Sequence, residues 1–260
     1  MVLPSWLQVE AGRSATCGLD QDGEAHCLVD GPFTLPAAPA GPFVDLAVAF
    51  GTACALDAAG AISCWGCDFI GSMCLPPTDI GYEQIEGSES YLCARKGDGT
   101  MSCWGYGEPP RPDSYIDFDL AVTGFSGLRS DGSIRSAGGE SPDLAGTGYV
   151  ELGAGRSFVC ALDVAGDMSC SEYAPQGLPA SGLSQLDGMS DTFCWLDTDD
   201  HVGCFPAARN PDLARDGFDP ATTEFVSVSA GHHHACGTTA TGEAHCWPAG
   251  DVFSDWPLRP

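Results

Sequence analysis

The chain has 260 residues, and its 36 acidic and 10 basic side chains give a formal net charge of −26 at pH 7. This balance argues against nucleic acid and anionic membrane surfaces as partners, because both are bound mainly through lysine and arginine. Fourteen cysteines, an even number, indicate disulfides and an oxidising compartment. We therefore expect a secreted or cell-surface protein. No signal peptide is visible, and no apolar run approaches the ~20 residues that insertion across a membrane requires.

Along the chain, short strands alternate with turns. Clear strands, in which apolar and polar residues alternate, are expected at 6–11, 43–48, 149–154 and 225–230. A hairpin follows each of them, and a run rich in proline and glycine, such as 32–42, then returns the chain. The prolines allow at most an edge strand there. No window keeps a period of 3.6 residues, so helix should be nearly absent.

The hairpins carry paired cysteines. In the hairpin 54–64, Asp57 suits the first position of a type I turn and Gly60 suits the left-handed position after it. Cys54 then lies opposite Cys64, with Cβ atoms about 4.5–5.5 Å apart, and a small adjustment brings them to the about 3.5–4.5 Å of a disulfide. We predict such a bridge across the inner arms of each sheet. The predicted pairs are Cys17 with Cys27, Cys54 with Cys64, Cys93 with Cys103, Cys160 with Cys170, Cys194 with Cys204, and Cys236 with Cys246.

Two further cysteines and one unusual turn complete this pattern. Cys67 and Cys74 lie outside the ten-residue spacing and are predicted to bridge each other. Zinc binding would need two cysteine pairs to converge in space, and a redox role for Cys64 and Cys67 would need a following helix, which is not predicted. In the sixth hairpin Asp200 stands at the turn position. The glycines at that position elsewhere are Gly23, Gly60, Gly99, Gly166 and Gly242.

A seventh hairpin, 126–136, has no cysteine: Ser126 and Ser136 take both positions, and Gly132 keeps the turn. Seven hairpins spaced 33 to 42 residues apart indicate a repeat architecture. With three or four antiparallel strands in each unit, the prediction is an all-β, seven-bladed β-propeller forming a single domain over 1–260. An open solenoid is the alternative, since closing the ring needs a contact from 251–257 or from 2–6. The blades are expected at about 6–42, 43–81, 82–115, 116–148, 149–182, 183–224 and 225–260.

The unit 225–247 resembles the repeat of the regulator of chromosome condensation family. That repeat runs apolar-x-apolar-x-x-Gly-x-x-His and often ends in Trp-Gly. Gly231-x-x-His234 resembles its first part, and Cys64-Trp-Gly66 and Cys103-Trp-Gly105 resemble its last element. The resemblance covers nearly the whole chain and implies a seven-bladed propeller. The short units, the paired cysteines and the absence of the histidine from most units look like secreted bacterial relatives of this family.

Two groups of residues are candidate metal ligands. His232 and His234, with His245 elsewhere in the unit, would share one strand face and hold a transition metal; the alternative is one structural histidine with solvent-facing neighbours. Two acidic turns resemble calcium loops but lack the distal glutamate of an EF-hand, and aspartate is also what a hairpin turn favours. Their residues are Asp20, Asp22, Asp197 and Asp199. We expect no cofactor, with calcium at the acidic turns as the alternative.

The leading functional hypothesis is an extracellular binding or scaffold module that presents loops to a protein or glycan. No nucleophile elbow, metalloprotease motif or phosphate loop is present, so we expect no enzyme. Alternatives are a secreted glycan-active hydrolase or lyase, and a subunit that self-associates into a surface layer or fibre. Four tryptophans are either anchors for a glycan or peptide or part of the blade packing: Trp65, Trp104, Trp195 and Trp247.

Overall fold

A computed structural model describes residues 5–29, 35–66, 71–106, 110, 112–122, 124–138, 143–205 and 222–248. These residues form seven antiparallel sheets of three strands and one short 3-10 helix, Gly71–Cys74. Within the described ranges, no helix is long and apolar enough to cross a membrane. The strands are β1 (Trp6–Ala11), β2 (Ala15–Asp20), β3 (Ala25–Val29), β4 (Phe43–Ala49), β5 (Thr52–Asp57), β6 (Ile62–Trp65), β7 (Tyr82–Gly87), β8 (Tyr91–Lys96), β9 (Met101–Gly105), β10 (Asp117–Leu120), β11 (Phe125–Leu128), β12 (Ile134–Ala137), β13 (Tyr149–Ala154), β14 (Val159–Asp163), β15 (Met168–Cys170), β16 (Leu183–Met189), β17 (Thr192–Asp197), β18 (Val202–Phe205), β19 (Ser227–Ala230), β20 (His234–Thr238) and β21 (Ala244–Pro248).

The seven sheets are the blades of a propeller, numbered 1 to 7 in chain order. In each blade the three strands are consecutive in the chain, and the second strand pairs with both others. Residues from the first strands of six blades line one hollow, so the first strand of a blade is innermost and the third is outermost. The predicted all-β, seven-bladed architecture is confirmed.

The ring closes between blade 7 and blade 1. The backbone N–H of Trp6 donates to the carbonyl oxygen of Gly242 at 2.8 Å, and Ser5 Oγ donates to the carbonyl of Thr241 at 3.2 Å. The solenoid alternative is therefore wrong. Closure uses the head of the chain, at residues 5 and 6, while the other predicted closing segment, 251–257, lies outside the described residues.

The turn glycines are required for two reasons, which Gly60 illustrates: the backbone there is left-handed, and the next blade leaves no room for a side chain. Its φ is +73°, and its N–H donates to the Asp57 carbonyl at 2.9 Å, which is the turn that the sequence predicts. Its own carbonyl accepts the N–H of Tyr82, the first residue of the next blade, at 3.3 Å. A Cβ on Gly60 would lie 2.3 Å from the Tyr82 nitrogen. Asp200 adopts the same left-handed conformation with φ +64° and accepts the N–H of Phe225 at 2.8 Å.

Six disulfides join the two arms of the hairpins, and in each case the two cysteines are ten residues apart. In blade 4, which has no bridge, the buried Ser126 and Ser136 are register partners, and their hydroxyl oxygens lie 3.0 Å apart. A hydrogen bond stands there in place of the covalent bond. The bonded pairs are Cys17 with Cys27, Cys54 with Cys64, Cys93 with Cys103, Cys160 with Cys170, Cys194 with Cys204, and Cys236 with Cys246.

The position of the bridges within each blade differs from the prediction, which placed them across the inner arms. They join the second strand to the third, because the first strand already occupies the axial edge. The second cysteine of each pair therefore lies on the outermost strand, as Cys27 on β3, Cys204 on β18 and Cys246 on β21 show. These three are only partly buried, whereas their partners on the middle strands are no more than 1 % exposed. The bridges therefore lie toward the outer edges of the blades, away from the axis.

The apolar core is divided among the interfaces between blades. Between blades 1 and 2, for example, Leu46 and Val48 on β4 pack against Ala15 and Leu19 on β2. A three-stranded sheet cannot bury both of its faces alone, so each blade depends on its neighbours. This arrangement leaves the inner edges of the first strands to face the axis.

Candidate functional site

The innermost strands turn carboxylates toward the axis. In β7, Gln84 and Glu86 line the hollow, while Ile85 between them is buried in the core. Residues of blades 1, 4, 5, 6 and 7 complete the lining of a cavity of about 180 Å³. Its carboxylates are Glu10, Glu86, Asp117, Asp119, Glu151 and Asp187.

Several of these acidic side chains also join neighbouring blades. Asp119 Oδ2 accepts the backbone N–H of Ala154 in blade 5 at 2.6 Å, and Asp187 Oδ2 accepts that of Ala230 in blade 7 at 2.5 Å. At the ring closure a hydroxyl group makes the equivalent contact: Ser229 Oγ accepts the N–H of Ala11 at 3.0 Å. The inner edge of each blade exposes unpaired backbone donors, and these side chains satisfy them. Part of the acidity therefore has a structural function.

The hollow carboxylates hold their protons unusually tightly. Burial, followed by repulsion from Asp187, raises the pKa of Glu10 to about 8. Burial and then repulsion from Asp117 raise the pKa of Glu151 to about 7, and burial raises the pKa of Asp187 to about 6. The pKa of Glu86 is raised well above its usual value by burial and then by the charge of Glu10. No basic side chain belongs to the described lining of the hollow, so the carboxylates repel one another.

One mouth of the hollow is surrounded by exposed aliphatic side chains. In blade 2 the pairing of β4 with β5 shifts register between Phe43 and Asp45, so Val44 is the extra residue of a β-bulge. Such bulges re-aim a side chain, and Val44 is 60 % exposed. In blades 3 to 6 the equivalent residue directly precedes a residue that lines the hollow, and blades 1 and 7 have an equivalent residue at the same position in the unit. We call these seven residues the collar: Leu7, Val44, Glu83, Ile116, Val150, Ser184 and Val226.

Five members of the collar are aliphatic, and all five are between 50 % and 60 % exposed. The residue before each collar position is large and holds the strand in place. Phe43, Tyr82, Tyr115 and Phe225, for instance, are each no more than 5 % exposed. The collar is therefore a repeated, anchored feature of the inner strands and not a set of unrelated surface residues.

The opposite mouth carries a charged network that we call the latch, made of Arg13, Glu89 and His232. Arg13 Nη1 pairs with Glu89 Oε2, and His232 Nε2 lies 2.9 Å from Glu89 Oε1. These residues follow the first strands of blades 1, 3 and 7, so the latch joins blades that are not all adjacent in the ring. Arg13 also lies over the ring of Phe50, 5.1 Å from its centroid. Burial favours the neutral form of Glu89, but His232 and Arg13 outweigh it and hold its pKa below the usual range.

The predicted histidine ligands have different partners in the structure. His234 is buried, and its Nε2 lies 2.7 Å from Thr16 Oγ1; burial lowers its pKa to about 4. His232 belongs to the latch, and His245 packs edge-on against Phe225. The expectation that His232 and His234 share a strand face is wrong, because β20 begins only at His234. Among the described residues, no three His, Cys, Asp or Glu side chains are grouped to hold a metal ion.

In the acidic turns, the first aspartate accepts hydrogen bonds from backbone N–H groups of its own turn. Asp20 Oδ1 accepts the N–H groups of Asp22 and Glu24 at 3.0 and 2.9 Å. Asp197 Oδ1 accepts those of Asp199 and His201, both at 2.9 Å. These bonds build the turns themselves. Calcium binding by these residues stays a prediction.

The remaining predicted residues have structural positions. Cys74 is half of a disulfide, and Cys67, its predicted partner, lies outside the described residues. Trp65, Trp104 and Trp247 are buried, and Trp104 Nε1 donates to the Met73 carbonyl at 2.8 Å. Trp195 packs against the core between blades 5 and 6. Packing therefore accounts for the tryptophans better than ligand binding.

Sequence reasoning did not identify which residues line the hollow, and it missed the collar and the latch. A signal for the first two was present: an acidic or amide side chain one residue after an exposed position, itself preceded by a large residue, as in Phe43-Val-Asp45 and Tyr82-Glu-Gln84. Aligning the seven units on this pattern would have found both features. Glu89 has no such signal, because its partners lie in blades 1 and 7.

Fold and site together define a closed, disulfide-stapled seven-bladed β-propeller with an acidic axial hollow. Comparison with solved structures shows the same fold in the CRINKLY WD40 ectodomain of the Arabidopsis thaliana receptor kinase ACR4, with a TM-score of 0.73, 21% identity and coverage of 95% of this chain and 96% of that one. The ectodomain of the Physcomitrella patens receptor kinase CR4 has a TM-score of 0.71 and 19% identity, covering 95% and 75%. A structure of Kap60 bound to yeast RCC1 (Prp20) gives 0.61 and 14%, covering 80% and 70%.

These likenesses show the fold and place the chain among repeat propellers. No protein-family model matches the sequence, and no curated protein matches it.

Proposed function

We propose that the protein is an extracellular binding module that docks a protein partner on its collar. The observation that carries this proposal is the collar itself, where five of seven equivalent positions turn a large aliphatic side chain into solvent. Apolar side chains grouped around one opening are typical of interaction sites. The repeat also supports membership of the regulator of chromosome condensation repeat family, which we propose together with this function.

An extracellular location is supported by the chemistry of the blades. Six disulfides persist only where the surroundings are oxidising. The fold is also that of two receptor-kinase ectodomains.

A glycan-active enzyme is the second candidate, because Glu10 and Asp187 have pKa values of about 8 and about 6 in one hollow. Carboxylates whose pKa values are pushed apart are a recurring feature of glycoside hydrolysis. Against this, Asp119 and Asp187 accept backbone hydrogen bonds from the next blade, which gives them a structural function. Binding remains the better-supported function.

The test compares the protein with a collar variant on an array of purified extracellular proteins and polysaccharides. We expect Val44→Asp with Val150→Asp to lower the affinity for any bound protein at least about 100-fold, because two charges would be buried in an apolar contact. Leu75→Asp is the matched control, since Leu75 is 72 % exposed and lies outside the collar. Equal binding by both variants would contradict the proposal. New reducing ends on a polysaccharide, lost in Glu10→Gln, would establish the enzyme instead.

A further inference from the structure

We infer that the collar docks a projecting loop or chain end of a basic protein, which places a lysine or arginine side chain over the hollow between apolar neighbours. This inference rests on the proposed function and names the chemistry of its partner. The collar alone would accept any apolar surface. The carboxylates of the hollow beneath the collar favour a partner that carries a positive charge.

The hollow lacks a cation of its own. Its described lining contains six carboxylates and the amides of Gln84 and Gln185, but no lysine or arginine. Arg95 on β8 is bonded through its Nε to Gln84 Oε1 at 3.0 Å, yet burial still keeps the pKa of Asp117 raised, so Arg95 compensates little of the charge. Arg13 is engaged by Glu89 at the other mouth. A positive group from outside would therefore meet little competition, and its charge would lower the raised pKa values of the nearby carboxyl groups and favour their ionised form.

Together with Glu151, Glu86 is the least engaged of the hollow carboxylates. In the described part of the chain its Oε1 accepts a long bond of 3.5 Å from Gln84 Nε2, whereas Asp119 and Asp187 are bonded to backbone N–H groups. Glu86 lies three residues inside the collar position Glu83, which is about 10 Å along a strand. A long side chain is needed to approach it from the collar.

Lysine and arginine match this layered surface. Each has an apolar stem that packs on aliphatic groups and a charged head that stays in a polar environment. The aliphatic collar would contact the stem and the flanking residues, while the head would face the acidic hollow. A neutral apolar tip satisfies only the collar, and a short polar cation satisfies only the hollow.

Other occupants fit less well. A second copy of the chain carries a net charge of −26 and would be repelled. A neutral glycan would leave the charge of the hollow uncompensated. A bare metal ion would not use the collar, and the described residues contain no grouped set of metal ligands.

The test uses disulfide-cyclised peptides whose tips are Leu-Lys-Leu, Leu-norleucine-Leu or Ser-Lys-Ser, with affinity measured by NMR titration at pH 8. We expect the Leu-Lys-Leu peptide to bind about tenfold tighter than each of the others, because it gains both the ionic and the apolar contact. Glu86→Gln should remove most of the preference for lysine over norleucine. Glu172→Gln, an exposed carboxylate outside the hollow, should leave that preference unchanged.

The possible results separate this inference from the proposed function. Equal binding of the lysine and norleucine peptides, or binding of none of them, overturns the cationic partner. The proposed function survives that result if collar variants still lose an arrayed protein. A lysine preference that persists in Glu86→Gln also overturns the inference, because the hollow would then not recognise the charge. Retained folding of each variant is checked by its near-UV circular dichroism.

Discussion

At the two ends of the propeller axis, the pKa values of the carboxyl groups are shifted in opposite directions. At the latch, Glu89 lies between Arg13 and His232, and its pKa is held below the usual range. In the hollow, the described lining places no cation beside Glu10, and its pKa is raised to about 8. Both groups are largely removed from water, so the presence of a neighbouring cation makes the difference. The chain places cations beside its carboxylate at one end and, in the described lining, none beside those at the other.

The same contrast appears in the apolar residues. At the latch end Phe50 is covered by Arg13, while at the collar end Val44, Val150 and Val226 are at least half exposed. One end therefore has contacts that hold blades 1, 3 and 7 together. The other end has the exposed apolar side chains that are typical of a binding surface.

Removing the latch carboxylate should give the largest loss of stability. Glu89→Ala leaves Arg13 and His232 without their partner, and we expect the free energy of unfolding to fall by about 2 kcal/mol. That value is below the cost for a fully buried pair because Arg13 is 43 % exposed. Urea unfolding with the disulfides intact measures it.

Glu83→Ala is the matched change at the collar end, since Glu83 is exposed and lies 3.9 Å from Arg95. We expect it to cost less than about 0.5 kcal/mol. If the two alanine variants are equally stable, the latch does not hold the blades and the contrast between the ends fails.

Raising the pH should destabilise the hollow. The folded pKa of Glu10 is about 8 and that of Glu151 about 7, both above their ordinary value, so the folded state binds more protons than the unfolded state and loses stability as pH rises. Between pH 6.5 and 8.5 we expect a loss on the order of 1–2 kcal/mol, measured by urea unfolding. Glu10→Gln should flatten this slope. A stability that increases with pH over this range would refute the assignment.

The latch and His234 act in a different pH window. The lowered pKa of Glu89 contributes stability that is lost only as pH falls below about 4.5, near its unfolded value. The pKa of His234 is about 4, so its contribution is lost as pH falls below about 6.5. Measurements above pH 6.5 therefore isolate the hollow.

The smallest gain should come from blade 4, away from both ends. Ser126→Cys with Ser136→Cys should form the bridge that the other blades have, and raise the free energy of unfolding by about 1 kcal/mol. The gain is modest because the hairpin ends are already close in the unfolded chain. Thiol titration and urea unfolding measure it, with Ser126→Cys alone as the control. An unchanged affinity at the collar is also expected, and a changed one would mean that blade rigidity and binding are coupled.

Much of the architecture could be predicted because it is local. Asp57 and Gly60 set a turn, that turn sets the register, and the register puts Cys54 opposite Cys64, all within about a dozen residues. The same logic predicted the serine pair and the turn position of Asp200. Because the same local pattern recurs in seven units, the propeller could be recognised.

Predictions failed where the answer lay between blades. The position of the bridges within each sheet was wrong because nothing in a hairpin says whether its own arms or the preceding strand will face the axis. Cys27, Cys204 and Cys246 consequently lie on outermost strands and not on inner arms. The shared strand face of His232 and His234 was wrong: His232 lies outside β20 and contacts Glu89, while His234 contacts Thr16, both in other blades.

The sequence by itself determined the hairpins, their bridges and the number of blades, because turn chemistry and strand pairing act between residues close in the chain. Only the tertiary structure decided that Glu10 and Asp187, from blades 1 and 6, would share a hollow, and that the exposed residue at the start of each inner strand would form part of one collar. Closing the ring brings these residues together, and their charge and exposure depend on neighbours that no single repeat contains.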